Sequence, residues 1–195
     1  SWDLPLQGSG ALLGGALVKN ECLILTTTSG RLMRIDSRTG AILSETEVDT
    51  DGGILRDPPV SIDSIVAVIT SRGMVHAYDS ETLAPLWESH FESLRRGALQ
   101  ATSESLVVTS PDQLIGIDPN DGSTRWHASL SHRPLSFIAT GTSIFVATAQ
   151  SVEGFNGTSG ELLWSLPVKD TTVSLHATDD LLIRISSDGS VDRIE

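Results

Sequence analysis

A short phrase recurs along this chain and constrains its fold more than any other feature. In each copy an apolar run ends at an acidic or amide residue, and a polar turn follows that closes on glycine in three of the four copies. The turn residues are Asp36, Asp79, Asp118 and Asn156, spaced 43, 39 and 38 residues apart. Such side chains bond the amides of a turn, and glycine supplies the positive φ that short hairpin loops need. A period near 40 residues therefore predicts one hairpin-based unit copied along the chain.

The tryptophans follow the same period. All four occupy one place in the repeat: Trp2, Trp87, Trp126 and Trp164. Ser44 holds that place in the first copy, and residues 2–6 match residues 164–168. A large ring at one fixed position of an outer strand predicts a structural role, in which the tryptophans fill the gap between neighbouring units.

Each repeat contains four runs with the composition of β-strands. The second run of each is dense in β-branched residues: Cys22–Thr27, Ile65–Thr70, Leu106–Ser110, Ile144–Thr148 and Leu181–Ser186. Runs of this kind are typical of buried strands. Four antiparallel strands in about 40 residues, repeated along the chain, form the blade of a β-propeller. The sequence thus predicts an all-β propeller that spans residues 1–195 as a single domain.

The ends of the chain predict how the propeller closes. The blades cover approximately residues 7–48, 49–91, 92–130, 131–168, and 169–195 together with 1–6. Because residues 171–195 supply three strands and residues 2–6 a fourth, we expect the two ends to pair and close a ring of about five blades. Closure would remove two open sheet edges. The alternative is that the chain is a piece of a larger ring.

Charge and composition exclude several classes of function. The net charge is −12 with a pI of about 4.7, which opposes binding to nucleic acid or to anionic lipid. The sequence contains no run of 18 apolar residues, so no transmembrane helix is predicted. No leader is recognisable, so we expect a cytosolic chain or a mature form. Cys22 is the only cysteine, which excludes an internal disulfide, and its strand context predicts a buried thiol.

The sequence predicts no catalytic, cofactor or metal site. The five histidines show no zinc-ligand spacing, and neither a nucleophile elbow nor a phosphate-binding loop occurs. Asp36, Asp79 and Asp118 lie one per blade and are explained as turn formers. The glycosylation sequence that begins at Asn156 coincides with a hairpin turn, which accounts for it.

The repeat Gly-x-x-x-x-Ile/Tyr-Asp-x-x-Thr/Asp-Gly-x-x-x-Trp is clearest in residues 73–87, 113–126 and 151–164. It resembles the PQQ-like propeller repeat. Quinoprotein dehydrogenases of that family bind pyrroloquinoline quinone with calcium beside a disulfide of adjacent cysteines, which one cysteine cannot supply. A PQQ- and calcium-dependent dehydrogenase, or a ligand-binding propeller, remains the alternative function, and cofactor titration would reveal it.

A closer resemblance concerns the two ends. Residues 2–36 and 181–194 are similar to the first and last blades of the propeller lipoproteins of the bacterial outer-membrane β-barrel assembly machinery. That family has eight blades and a lipid-bearing N-terminal cysteine, whereas this chain has room for five blades and lacks that cysteine. The resemblance implies a non-catalytic scaffold without cofactors in the cell envelope, periplasmic or associated with the outer membrane. It also implies a protein partner such as the periplasmic domains of the barrel insertase.

The two longest inter-blade connections, residues 48–59 and 88–97, are the candidate contact region. In a propeller such connections emerge on one face, and apolar and arginine side chains are the usual interface anchors. The predicted partner-binding residues are Ile54, Leu55, Arg56, Phe91, Leu94, Arg95 and Arg96. The alternative is that Phe91 and Leu94 only cover the edge of a blade.

Overall fold

The computed structural model describes residues 3, 15–55, 57–91, 98–178 and 181–194. Within these ranges the regular secondary structure consists of β-strands alone, and all strand pairs are antiparallel. The chain divides into two compact units, Ser1–Arg96 and Gly97–Glu195.

The first unit contains two four-stranded sheets, each ordered as the chain runs. The strands of the first sheet are β1 (Leu17–Lys19), β2 (Cys22–Thr26), β3 (Arg31–Asp36) and β4 (Ile42–Glu47). Those of the second are β5 (Val60–Ile62), β6 (Ile65–Ile69), β7 (Met74–Asp79) and β8 (Pro85–His90). Each sheet is therefore an up-and-down meander joined by hairpins.

The second unit contains three sheets of the same kind. The third sheet consists of β9 (Leu99–Ala101), β10 (Leu106–Thr109), β11 (Gln113–Ile117) and β12 (Thr124–Ser129). The fourth consists of β13 (Ser136–Thr140), β14 (Ser143–Ala147), β15 (Ser151–Asn156) and β16 (Leu162–Pro167). The fifth has three strands in the described part of the chain: β17 (Thr172–Thr178), β18 (Leu181–Ser186) and β19 (Val191–Ile194).

These sheets confirm the prediction of an all-β chain built from antiparallel blades. The predicted second runs are the strands β2, β6, β10, β14 and β18, and the tryptophan-bearing runs in the described residues are β8, β12 and β16. The segment predicted to add a fourth strand to the last blade, residues 2–6, lies outside the described residues except for Asp3. Ring closure and the single domain over residues 1–195 stay predictions.

Burial explains the strand composition. All five residues of β6 and all four of β10 are buried, as the dense β-branched runs predict, and Cys22 is buried in β2. The fourth strands β4, β8 and β16 are largely exposed. Apolar side chains of adjacent sheets pack together within each unit: Ile24, Leu32, Val48, Leu55, Val66, Val68, Tyr78 and Leu83 form the core of the first unit. The core therefore lies between blades.

A register irregularity occurs at the same place in each four-stranded sheet. It falls one or two residues before the turn residue, between Arg34 and Ile35 in the first sheet, and between Gly154 and Phe155 in the fourth. The second and third sheets have it between Ala77 and Tyr78 and between Gly116 and Ile117. A bulge of this kind turns the outer strand locally and fixes the direction of its side chains.

Candidate functional site

The polar turns of the repeat are held by their first side chain. Asp79 Oδ1 accepts hydrogen bonds from the backbone N of Thr82 at 2.8 Å and from its hydroxyl at 2.7 Å. Asp36 makes the same contacts with Thr39. Asn156 Oδ1 accepts from the backbone N of Thr158 at 2.9 Å. These side chains are occupied in forming turns, which matches the interpretation drawn from the sequence.

These contacts predict a contribution of the turns to acid stability. The backbone amide and the hydroxyl of Thr82 hold the pKa of Asp79 below its ordinary value of 3.8. Because the folded pKa is depressed, the stabilisation is present above the unfolded pKa and is lost as the pH falls through the folded pKa. We expect Asp79→Asn to keep the turn, as Asn156 does, and to weaken the loss of stability below about pH 4. Urea unfolding across this pH range tests it, and equal pH dependence in the two proteins would contradict it.

Two of the tryptophans lie between a blade and its neighbour in the second unit. A Cβ placed on Gly116, which pairs with Trp126 across β11 and β12, would lie 2.1 Å from Cε2 of the indole. A Cβ on Gly160, in the turn of the next sheet, would lie 2.4 Å from Cε3 of the same ring. The Trp126 ring is thus pressed between two backbone segments that lack side chains.

Trp164 has a similar environment. It covers Gly154 of its own sheet, contacts Phe145 with ring centroids 6.0 Å apart, and packs against Leu175 and Leu182 of the fifth sheet. Trp87 pairs with Ala77 across β7 and β8 and is half-buried. Its role between blades stays a prediction, and Trp2 lies outside the described residues.

The first blade uses polar groups at this position. Ser44 stands in the place of tryptophan, and its partner across the strands is Arg34 instead of glycine or alanine. Arg34 Nη1 and Ser44 Oγ both point to the backbone carbonyl of Glu81, in the turn of the second sheet, at 3.3 and 3.4 Å. The long arginine therefore bridges the space that an indole fills elsewhere.

The structure excludes one residue from the predicted partner-binding set. Leu55 is only 2% exposed, forms a bridge with Thr70 and belongs to the core of the first unit. The prediction that Leu55 is an interface anchor is corrected, because its side chain is packed between blades and not available to a partner. Four other members lie outside the described residues: Arg56, Leu94, Arg95 and Arg96.

The remaining two members, Ile54 and Phe91, are attached to the same turn. Ile54 N donates to Ser71 Oγ at 3.1 Å, and Ser71 N donates to Ile54 O at 2.9 Å. Phe91 N donates to the carbonyl of Gly73 at 3.0 Å. Both long connections therefore meet the turn between β6 and β7, and both side chains are half-buried.

This turn also presents an arginine that the sequence reasoning missed. The Arg72 side chain is 57% exposed and lies 3.6 Å from the carboxylate of Asp51. We call the surface formed by Ile54, Arg72 and Phe91 the rim surface. The sequence could have indicated Arg72, because the turn between the second and third strands of a blade emerges at the same end as the inter-blade connections. The Asp79 turn lies at the other end, where Ser80 N donates to Ser64 O.

No grouping of three or more His, Cys, Asp or Glu side chains suited to a metal ion occurs among the described residues. The same part of the chain contains no helix with the length and hydrophobicity needed to cross a membrane.

Meandering four-stranded sheets, cores between blades and tryptophans against glycine define a protein of the β-propeller repeat class. The family model described as outer membrane protein assembly factor BamB matches residues 28–193. The chain belongs to this family. Among curated proteins, none matches its sequence.

Solved structures share the fold at low sequence identity. BamB from Moraxella catarrhalis is 19% identical with a TM-score of 0.70, over 95% of this chain and 61% of that structure. The computationally designed protein Ika4 is 14% identical with a TM-score of 0.66, over 80% of this chain and 98% of the designed one. BBS1N, solved in complex with ARL6DN, is 17% identical with a TM-score of 0.70, over 92% of this chain and 63% of its own. This chain thus spans less than two thirds of the Moraxella protein.

Proposed function

We propose that the chain is a non-catalytic scaffold that binds protein partners during outer-membrane β-barrel assembly. The match of the BamB family model over residues 28–193 carries this proposal, and the similarity to the fold of Moraxella BamB supports it. The proposed location is the bacterial cell envelope, in the periplasm or on the periplasmic side of the outer membrane.

The proposed contact face extends from the rim surface. To Ile54, Arg72 and Phe91 it adds the predicted residues of the same two connections: Arg56, Leu94, Arg95 and Arg96. The hydrogen bonds of Ile54 and Phe91 to one turn support the placement of both connections at one end of the blade. Leu55 is not part of the proposed face, because it is buried in the core of the first unit.

The charge of this region differs from that of the whole chain. The protein carries a net charge of −12, whereas this turn and these two connections hold four arginines beside five carboxylates and are therefore close to neutral. Arginine and apolar side chains on one face fit a partner that presents acidic groups around an apolar groove. The proposed partner is the set of periplasmic domains of an outer-membrane barrel insertase.

The double variant Phe91→Ala with Arg95→Ala tests this function. Aromatic and arginine anchors typically account for most of the binding energy of an interface. We expect the double variant to bind the purified periplasmic domains of the insertase at least about tenfold more weakly than the wild type. Pull-down and biolayer interferometry measure this change. Leu55 is left intact so that the core is not altered.

A matched control is Arg38→Ala, which removes an exposed arginine from the Asp36 turn, at the end of its blade away from the inter-blade connections. This control is expected to bind as the wild type does. Unchanged binding by a double variant with a wild-type melting temperature would refute the proposed contact face.

A further inference from the structure

A cleft of about 320 Å³ opens in the first unit, and its lining includes none of the three residues of the rim surface. It lies between the outer part of the first blade and the strands β7 and β8 of the second. Its lining includes Glu47 at the end of β4, Asp49 from the connection that follows, and His76, Tyr78 and Glu88 from the second sheet. A concavity of this size is at the lower end of the range for ligand pockets.

His76 is the most unusual residue of this cleft. It is 4% exposed, and its Nε2 has no hydrogen-bond partner. Its ring stacks on Tyr78 with centroids 6.5 Å apart. Met33, Ile115 and Glu153 occupy the same repeat position in other blades, three residues before the turn. A buried polar atom without a partner is costly, so its retention calls for an explanation.

The protonation of His76 determines what its free nitrogen can do. Burial lowers the pKa of His76 more than Glu88 and the backbone carbonyl of Asp49 raise it. The lowered pKa favours the neutral ring, which carries one proton. Nδ1 lies 3.5 Å from the Glu88 carboxylate, which only accepts hydrogen bonds, so the proton is assigned to Nδ1. Nε2 then presents a lone pair and requires a donor.

The charged groups around the cleft share one sign. Glu47, Asp49 and Glu88 are exposed carboxylates, and none of the described lining residues is lysine or arginine. The walls include the aliphatic side chain of Leu86, which is 51% exposed. The cleft therefore combines carboxylates, one buried acceptor and aliphatic surface.

We propose that this cleft binds an arginine side chain of a protein partner. A guanidinium group has five N–H donors on a planar frame and can address more than one carboxylate together with a nitrogen acceptor. Its aliphatic stem suits the Leu86 wall. An ammonium group is a compact charge with donors at one point, which matches acceptors spread over two blades less well. The cleft adds a second contact to the proposed scaffold and shares no residue with the rim surface.

The test is an NMR titration of the full ¹⁵N-labelled chain with N-acetyl-arginine N-methylamide. We expect saturable shifts at the amides of Thr46, His76 and Glu88 and at the ring nitrogens of His76. The dissociation constant is expected on the order of 1 mM for a probe of this size. The citrulline analogue keeps the shape but lacks the charge, and is expected to give no saturable shift.

Two variants of similar exposure locate the site. Glu88→Gln, on an exposed outer strand, is expected to weaken binding of the arginine probe about threefold to tenfold. Glu161→Gln, in the turn before β16, is expected to leave it unchanged. Equal binding of the citrulline analogue or of the lysine analogue, the same shifts with calcium chloride, or undiminished binding by Glu88→Gln would each overturn the proposal. The pull-down at the rim surface and this titration can fail independently.

Discussion

Replacing Trp126 with alanine is expected to lower the free energy of unfolding by about 3–5 kcal/mol. The ring is buried between Gly116 of its own sheet and Gly160 of the next, and it packs in a cluster with Val107, Leu114 and Phe155. Removing it leaves a cavity that two strands and a turn cannot fill without moving. Urea unfolding followed by circular dichroism measures the change, and a loss below about 1 kcal/mol would contradict the packing described.

A pair of glycine variants separates packing from backbone strain in the same region. Gly160 has a φ of +73° and faces the Trp126 ring, whereas Gly189 has a φ of +88° and no neighbouring atom within 4 Å of the position of an added Cβ. Both Gly→Ala changes impose a similar backbone cost. We expect Gly160→Ala to be clearly more destabilising, since only it also forces the indole to move. Equal losses in the two variants would mean that Trp126 does not press on this turn.

Leu55→Ala is expected to destabilise the first unit by about 2–5 kcal/mol. The side chain is 2% exposed and packs with Ile24, Val66 and Leu83 between the two blades. Truncation leaves a cavity among residues fixed by the strands on both sides. Equilibrium unfolding in urea gives the loss, and any loss of partner binding in this variant would have to be corrected for the unfolded fraction.

The matched control for this variant is Leu86→Ala. Leu86 is 51% exposed on the outer strand β8, so its truncation is expected to change stability by no more than about 0.5 kcal/mol. If Leu55→Ala behaved like Leu86→Ala, the leucine would be accessible, and its place among the interface anchors would be restored.

The candidate contact region was only partly predictable from the sequence. The lengths of the two connections pointed to Ile54 and Phe91, and the structure attaches both to the turn that carries Arg72. Leu55 is an apolar residue of the same connection as Ile54, yet its side chain is buried in the core whereas that of Ile54 is half-buried at the surface. An irregular connection has no periodicity that predicts the direction of a side chain. Buried and exposed apolar residues in it can therefore be distinguished only from the tertiary structure.

The cleft at His76 was beyond sequence reasoning for a related reason. No other copy of the repeat has a histidine at the position of His76. The carboxylates around it belong to Glu47, Asp49 and Glu88, which are distant from one another in the sequence or from His76. Only the approach of the two blades creates the cavity and leaves Nε2 buried without a partner.

The repeat, the antiparallel strands and the turns could be predicted from the amino-acid sequence, because they depend on residues that are close together along the chain. Asp79 and Thr82 close their turn through local hydrogen bonds, and dense β-branched runs mark the inner strands β6 and β10, which are buried throughout. Tertiary structure decided that Leu83 adopts a φ of +58° where three other turns have glycine. Its burial in the core of the first unit accompanies this unfavourable local conformation. Only the tertiary structure shows that Arg34 and Ser44 occupy the space between blades that an indole fills elsewhere. This role depends on their distance to the backbone carbonyl of Glu81 in the next blade.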